Sequence, residues 1–155
     1  MSRPQPVATP TSQPFWDATR QQRYLLQWCR TCDRPVHFPR SACPRCLGSD
    51  MEWRPAGGKG RVYTFTVDHR PSDPAFNPVG REHQAGSKEH EVESKEAQPY
   101  VIALVDLDEG VRVMTNVVGC DPEMIQVGMR VELAWEPLED GRYLPLFTPA
   151  EEERR

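Results

Sequence analysis

Cys29-Arg30-Thr31-Cys32, ten residues, then Cys43-Pro44-Arg45-Cys46: the reading of this stretch decides the fold. Each C-x-x-C places two sulfurs on one tight knuckle, and two knuckles supply four ligands for a tetrahedral metal. Zinc suits four thiolates because it is borderline-soft and imposes no other geometry. Iron in a rubredoxin-like site would use the same ligand set and is the competing metal. A dithiol redox pair would precede a helix in a βαβ pattern, and this sequence has none. Four sulfurs leave no open coordination position, so the expected zinc ion is structural and does not activate water.

Cys120 stands outside this set. With no histidine or other base beside it in sequence, it reads as a small, at least half-buried thiol rather than a nucleophile. Between Cys29 and Cys46 four arginines, Arg30, Arg34, Arg40 and Arg45, face one acid, Asp33. Two readings are open for them. They balance the thiolates, or they form a patch for phosphate.

Working outward toward the N-terminus, residues 24–28 read as a strand leading into the first knuckle. Pro14 followed by Phe15, Trp16 and Ala18 suits a short amphipathic helix. Residues 1–13 are polar and proline-rich, the pattern of a flexible tail without the apolar core of a signal peptide.

Toward the C-terminus, the Gly57-Gly58-Lys59-Gly60 run reads as a turn or hinge. Residues 61–69 then alternate as a strand. Residues 71–99 carry prolines and a charged run almost free of large apolar side chains. Such a stretch cannot offset its ordering entropy by burial, so a long mobile loop is expected, with 77–98 as the insertion proper. Strands resume at 100–107 and 111–118 around Asp108-Glu109-Gly110, an acidic pair plus glycine that suits a hairpin turn. Asp121 is placed to cap a short helical turn with Pro122 just inside it, and Gly128 ends that turn. Residues 130–136 and 142–147 give the last two strands, joined by Glu139-Asp140-Gly141. Five strands with a helical turn before the fourth fit a small closed barrel of the OB type. The expected fold is therefore mainly β: a helix plus zinc ribbon over 14–56, a barrel over 57–149 and a charged tail at 150–155.

Composition sets outer bounds. In 155 residues the apolar fraction of 37% is low and the 16 prolines are many, which points to a modest core that a metal would staple. A net charge of −4 gives no global basic field for nucleic acid or anionic lipid. No apolar run is long enough for a membrane span, and the cytoplasm is the expected compartment. No nucleophile motif, phosphate loop or metal-hydrolase pair occurs. His37, His69, His83 and His90 have no sequence-proximal partner that would make a general base, so no catalytic residue is assigned.

The order of the pieces carries more than any one of them. A Phe15-Trp16 helix, a four-cysteine ribbon containing Phe38-Pro39-Arg40 and a glycine-rich link come first. They precede Val62-Tyr63-Thr64-Phe65-Thr66-Val67, His69-Arg70-Pro71, Pro99-Tyr100-Val101-Ile102-Ala103-Leu104-Val105, Asn116-Val117-Val118-Gly119-Cys120-Asp121-Pro122 and Gly128-Met129-Arg130-Val131-Glu132. Over roughly residues 14–149 this arrangement resembles the bacterial and archaeal family called domain of unknown function 35, a rubredoxin-like zinc ribbon fused to an OB-fold. The family's link after His69-Arg70-Pro71 is usually shorter than the one here.

The resemblance implies a non-catalytic subunit that binds and supports a thiolase-like enzyme acting on acyl-CoA: a thiolase, an acyltransferase or a steroid side-chain aldolase. It also implies a hetero-oligomer and a part in seating the acyl-CoA. On that reading Phe15, Trp16, Tyr24 and Trp28 are candidate interface anchors, and Arg40 and Arg61 are candidate contacts for CoA phosphates. A second reading is a single-stranded nucleic-acid module, in which Tyr63 and Phe65 would stack on bases. A third is a rubredoxin-like electron carrier.

Overall fold

The computed structural model describes residues 5–69 and 99–151, so the expected loop at 77–98 lies outside the described residues. Helix α1, Gln13–Thr19, starts with Pro14 in its first turn, where a missing N–H costs nothing. Three strands follow, β1 (Leu25–Cys29), β2 (Arg34–Val36) and β3 (Met51–Pro55). They form an antiparallel sheet in the order β2-β1-β3. Of these, the sequence pattern predicts only the first. The other two are short pieces within and just after the cysteine block, and their pairing with β1 defines them more than their own composition does.

Five strands make the closed barrel: β4 (Lys59–Asp68), β5 (Tyr100–Leu107), β6 (Arg112–Val117), β7 (Arg130–Pro137) and β8 (Tyr143–Pro149), in the order β4-β5-β6-β8-β7. Closure is completed where β7 returns to the start of β4, with Gly60 opposite Val131. Along β5 burial alternates strictly, Val101, Ala103, Val105 and Leu107 facing the core. In β4 a bulge between Val62 and Thr64 shifts the register by one residue. That shift explains how Val62 on one side of it and Phe65 and Val67 on the other all reach the core, three residues apart instead of two. Tyr63 is the displaced residue and turns outward, its ring under the Arg112 guanidinium at 3.2 Å.

The glycine-rich link is a turn only in its first half, since Lys59 and Gly60 already belong to β4. Gly60 is needed for close approach: a Cβ there would sit 2.5 Å from the Asp106 carbonyl oxygen of the neighbouring strand. Gly110 in the β5–β6 turn has the opposite requirement, with φ +92° and open space around it. A 3-10 turn, Pro122–Met124, lies between β6 and β7, and the Asp121 carboxylate accepts the Glu123 N–H at 3.0 Å as its cap.

Ribbon and barrel share one core. Tyr24 and Leu26 pack with Val62, Val105, Val131 and Phe147. The Ala56 N–H donates to the Tyr24 carbonyl at 2.9 Å, and the Gly57 N–H donates to Glu109 Oε1 at 2.6 Å. Helix α1 is fastened to the β7–β8 turn through Arg20, whose Nη1 donates to the Asp140 carbonyl at 2.7 Å. Within the segment expected as a tail, the Pro6 carbonyl accepts Arg142 Nη2 at 2.7 Å, which ties that part of the segment to the same turn.

The two glycines give separable outcomes. Gly60→Ala is expected to destabilise by about 3 kcal/mol, the upper part of the overpacking range, because the clashing atom is backbone and cannot turn away. Gly110→Ala is expected to cost about 1 kcal/mol, from its left-handed backbone alone. Urea midpoints at unchanged m-value measure both.

Candidate metal centre

Each knuckle is held by its own backbone. Cys29 is the last residue of β1 and is buried, paired with Arg34 of β2 and Met51 of β3. The chain then turns so that the Cys32 N–H points at Cys29 Sγ, 3.4 Å away. In the second knuckle the Leu47 N–H donates to the Cys43 carbonyl at 2.9 Å, and the Arg45 N–H points at Cys43 Sγ, 3.4 Å away. The residue after each knuckle, Asp33 (φ +47°) and Leu47 (φ +59°), takes the left-handed conformation that turns the chain out of the sulfur cluster. Gln27, buried in β1, fixes the intervening loop with two bonds to the Arg40 backbone: its Nε2 donates to the carbonyl at 2.8 Å, and its Oε1 accepts the N–H at 2.7 Å.

The four sulfurs lie within 4.8 Å of one another. Cys29 and Cys46 are 3.7 Å apart, and Cys32 and Cys43 are 3.9 Å apart. A tetrahedral ion bonded to each sulfur at about 2.3 Å sets neighbouring sulfurs about 3.8 Å apart, so the donor set fits one zinc ion. The thiols are driven in opposite directions. Hydrogen bonding to the Cys46 sulfur, then burial and the other sulfurs, pushes Cys32 up to about 12. The backbone N–H groups of Cys46 and Arg45 pull Cys43 down to about 6. Four sulfurs this close carry four negative charges together only with a dication among them. Zinc bound here would cross-link the ends of β1 and β2 to the second knuckle.

Around the cluster the charges are largely paired. Arg30 donates to Glu52 at 2.7 Å and lies 3.7 Å from Asp50. Arg54 pairs with Glu52, and with Asp33 at 3.2 Å. These contacts hold the Glu52 and Asp33 carboxyls below the usual range, Glu52 first through Arg30 and Asp33 first through the Trp28 indole N–H. Arg34, Arg40 and Arg45 are exposed, and among the described residues their guanidinium groups make no hydrogen bond or ion pair.

The candidate anchors fall in different places. Phe15 and Trp16 are half-buried, 5.0 Å apart edge to face, and Phe15 meets Tyr24 at 5.6 Å. Tyr24 itself is only 7% exposed and belongs to the core, where burial pushes its phenol pKa up. As an anchor for a partner it has almost no surface to offer. Trp28 donates its indole N–H to Asp33 at 2.9 Å and lies 4.6 Å under Arg54. Arg61 Nη1 is spent on the Gly128 carbonyl at 3.0 Å.

Two cavities flank the β1–β2 wall. One, about 260 Å³, is apolar and lies between α1, the ribbon and β6/β8, with Phe15, Trp16, Phe38, Trp53 and Met114 on its lining. The other, about 700 Å³, lies between the second knuckle and the β5–β6 turn and is lined by Trp28, Arg34, His37, Arg45 and Glu109 among others. Neither Arg40 nor Arg61 lines either one. Phe38 and Met114, 60% and 68% exposed, are not among the anchors expected from sequence, although Phe38 belongs to the ribbon motif Phe38-Pro39-Arg40. The alternation of β6 carries the signal for Met114, which falls on the outward side between buried Val113 and half-buried Thr115.

Comparison with known proteins agrees with this geometry. Residues 16–52 match the family model of the ChsH2 rubredoxin-like zinc ribbon domain, and residues 83–136 match that of the ChsH2 C-terminal OB-fold domain. A chain of the solved Ltp2-ChsH2(DUF35) aldolase is 34% identical with a TM-score of 0.73, covering 94% of this chain and 98% of that one. This chain belongs to the DUF35 family. Another DUF35 relative, a DUF35 domain-containing scaffold protein of Methanocaldococcus jannaschii, is 36% identical over 78% of this chain and 75% of its own length. A probable enoyl-CoA hydratase alpha subunit of Thermomonospora curvata is 35% identical over 96% of this chain. The DUF35 chain here spans 40% of that larger relative.

Cys43→Ser is expected to lose stoichiometric zinc and the cooperative melting of the ribbon, whereas Cys120→Ser keeps both. Metal analysis of the purified variants together with thermal melts checks this. A Cys43→Ser chain that retained one zinc and melted normally would overturn the structural assignment.

Proposed function

We propose that this chain is a non-catalytic subunit that docks on a thiolase-like enzyme acting on acyl-CoA, the partner supplying the reacting groups. The observation that carries this reading is the end-to-end match, at 34% identity, with a chain of the Ltp2-ChsH2(DUF35) aldolase. The chemistry of the metal centre supports it, since four thiolates fill a tetrahedral ion and leave it a cross-link rather than a Lewis acid. So do two titratable groups, His37 on the lining of both cavities and Cys120 packed against the barrel core. Burial pushes the Cys120 thiol up and the His37 imidazole down, the directions that make a thiol inert and keep a histidine neutral.

The docking face we assign is the rim of the smaller cavity. Phe38 and Met114 stand exposed there beside half-buried Phe15 and Trp16, and large side chains of this kind carry binding energy when a partner covers them. The same reading makes the working species a hetero-oligomer. No helix among the described residues is long and apolar enough to cross a membrane. A chain that keeps four cysteines for metal and a fifth as a free thiol suits a reducing compartment, and we place it in the cytoplasm.

A tagged chain recovered from its native host is expected to bring down a thiolase-like protein in near-stoichiometric amount, identified by mass spectrometry. Met114→Lys is expected to reduce that recovery tenfold or more with zinc content and melting unchanged. Recovery of nucleic acid alone, or of no stoichiometric protein, would remove the accessory reading.

A further inference from the structure

The parallel join of the barrel, between β6 and β8, stops short. Only Val117 and Phe147 are paired across it, with the Val118 N–H donating to the Phe147 carbonyl at 2.8 Å. Carrying the join two residues back would need an N–H at position 145 for the Met114 carbonyl, and Pro145 has none. On its other side β6 is paired with β5 along its whole length. The Leu107 N–H donates to the Val111 carbonyl at 2.9 Å, and bonded pairs alternate along an antiparallel ladder. Val113 and Thr115 therefore bond to β5, while Arg112 and Met114 turn their N–H and C=O groups away from it. Among the described residues those groups have no hydrogen-bond partner. They form an open strand edge.

This edge borders both cavities. Met114 lines the apolar one with Phe38, and Arg112 lines the crevice at the second knuckle. Val36 and His37 line both, so one extended segment lying along the edge would occupy the two together. In the crevice Arg34 and Arg45 are exposed, and their guanidinium groups make no hydrogen bond or ion pair among the described residues. The acids on the same lining are engaged, Asp33 by Arg54 and Glu109 by the Gly57 N–H. Free guanidinium groups call for carboxylates, an apolar cavity for an apolar side chain, and an open edge for a backbone. An extended peptide supplies all three. We propose that β6 binds an extended segment of a partner protein by strand addition. The segment carries acidic residues toward Arg34 and Arg45, and an apolar side chain for the cavity beside Phe38 and Met114. That the partner is the thiolase-like enzyme rests on the accessory reading above, whereas the open edge and its charge do not.

The test presents a random ten-residue peptide library to the zinc-loaded full chain and measures the enriched peptides by fluorescence anisotropy. Those peptides are expected to carry Asp or Glu at one end and branched apolar residues at alternate positions beyond it. Methylating their backbone nitrogens one at a time is expected to weaken binding tenfold or more at alternate positions only, because a strand pairs through every second residue. Arg34→Glu/Arg45→Glu is expected to lose tenfold or more, and wild-type binding to weaken as salt rises. Met114→Pro removes an N–H that the fold does not use, so it is expected to lose tenfold or more with zinc content and melting unchanged. Met114→Leu keeps that N–H and is expected to bind within threefold of wild type. Should the proline disturb the barrel, hydrogen exchange on the wild-type chain gives the same answer. Peptide binding is then expected to slow the Met114 amide tenfold or more and to leave Val113 and Thr115, already bonded, unchanged. No enriched peptide, tolerance of methylation at every position, or full binding by a folded Met114→Pro chain would overturn strand addition. Partner recovery separates the two proposals. A folded Met114→Pro chain that recovers a thiolase-like protein at wild-type yield would sink strand addition and leave the accessory role standing. Edge-dependent peptide binding without any thiolase-like partner supports strand addition and would sink the accessory role alone.

Discussion

Strand β1 is the member on which the rest of the structure depends. At its C-terminal end Cys29 enters the sulfur cluster, and at the other end Tyr24, just before the strand, and Leu26 enter the barrel core. Both neighbours in the ribbon sheet pair with it. A loss of metal is therefore not confined to the ribbon, because the strand that carries a ligand also contributes to the core that closes the barrel. With an apolar fraction of 37%, the chain has few other places from which to draw cohesion. Surface ion pairs contribute little to this. Asp106–Arg112 and Asp108–Arg130 are well aligned, but both carboxylates are about half exposed and solvent screens them.

Much of this was legible in the sequence because the signals were chemical rather than conformational. Four cysteines at knuckle spacing specify their own geometry, and the sulfurs meet as the spacing implies. Strand β5 reads correctly to the residue because it alternates buried and half-buried side chains without interruption. Asp121 and Pro122 open the 3-10 turn because a cap and a fixed φ are local properties. Where non-local pairing decided the outcome, sequence reading stopped short. Strands β2 and β3 exist because β1 offers them partners, and Gly60 is strand rather than turn because β5 lies against it.

The functional surface was less legible for the same reason. Aromatic content pointed to Tyr24 and Trp28, yet the first is consumed by the core and the second by Asp33 and Arg54. Arginine content pointed to Arg40 and Arg61, but the Arg61 side chain is tied to a carbonyl, and Arg34 and Arg45 are the ones that line a crevice. Residue type selects what a side chain could do. Only the register of β4 and β6 and the direction of each knuckle decide which side chains remain free to do it.

The metal's importance to binding follows from the smallest strand. β2 has three residues and pairs only with β1. A pairing that short is marginal by itself. Cys32 lies just before it, and the loop after it returns to Cys43, so an ion joining these sulfurs fixes both ends of the segment. Val36, the last residue of β2, and His37 after it border both cavities. The wall that separates the apolar cavity from the crevice at the second knuckle is thus fixed more by a metal ion on the four sulfurs than by three residues of strand pairing. A closed-shell metal centre with no reacting position shapes both surfaces in this way, and no chemistry at the ion is required for it to matter to either.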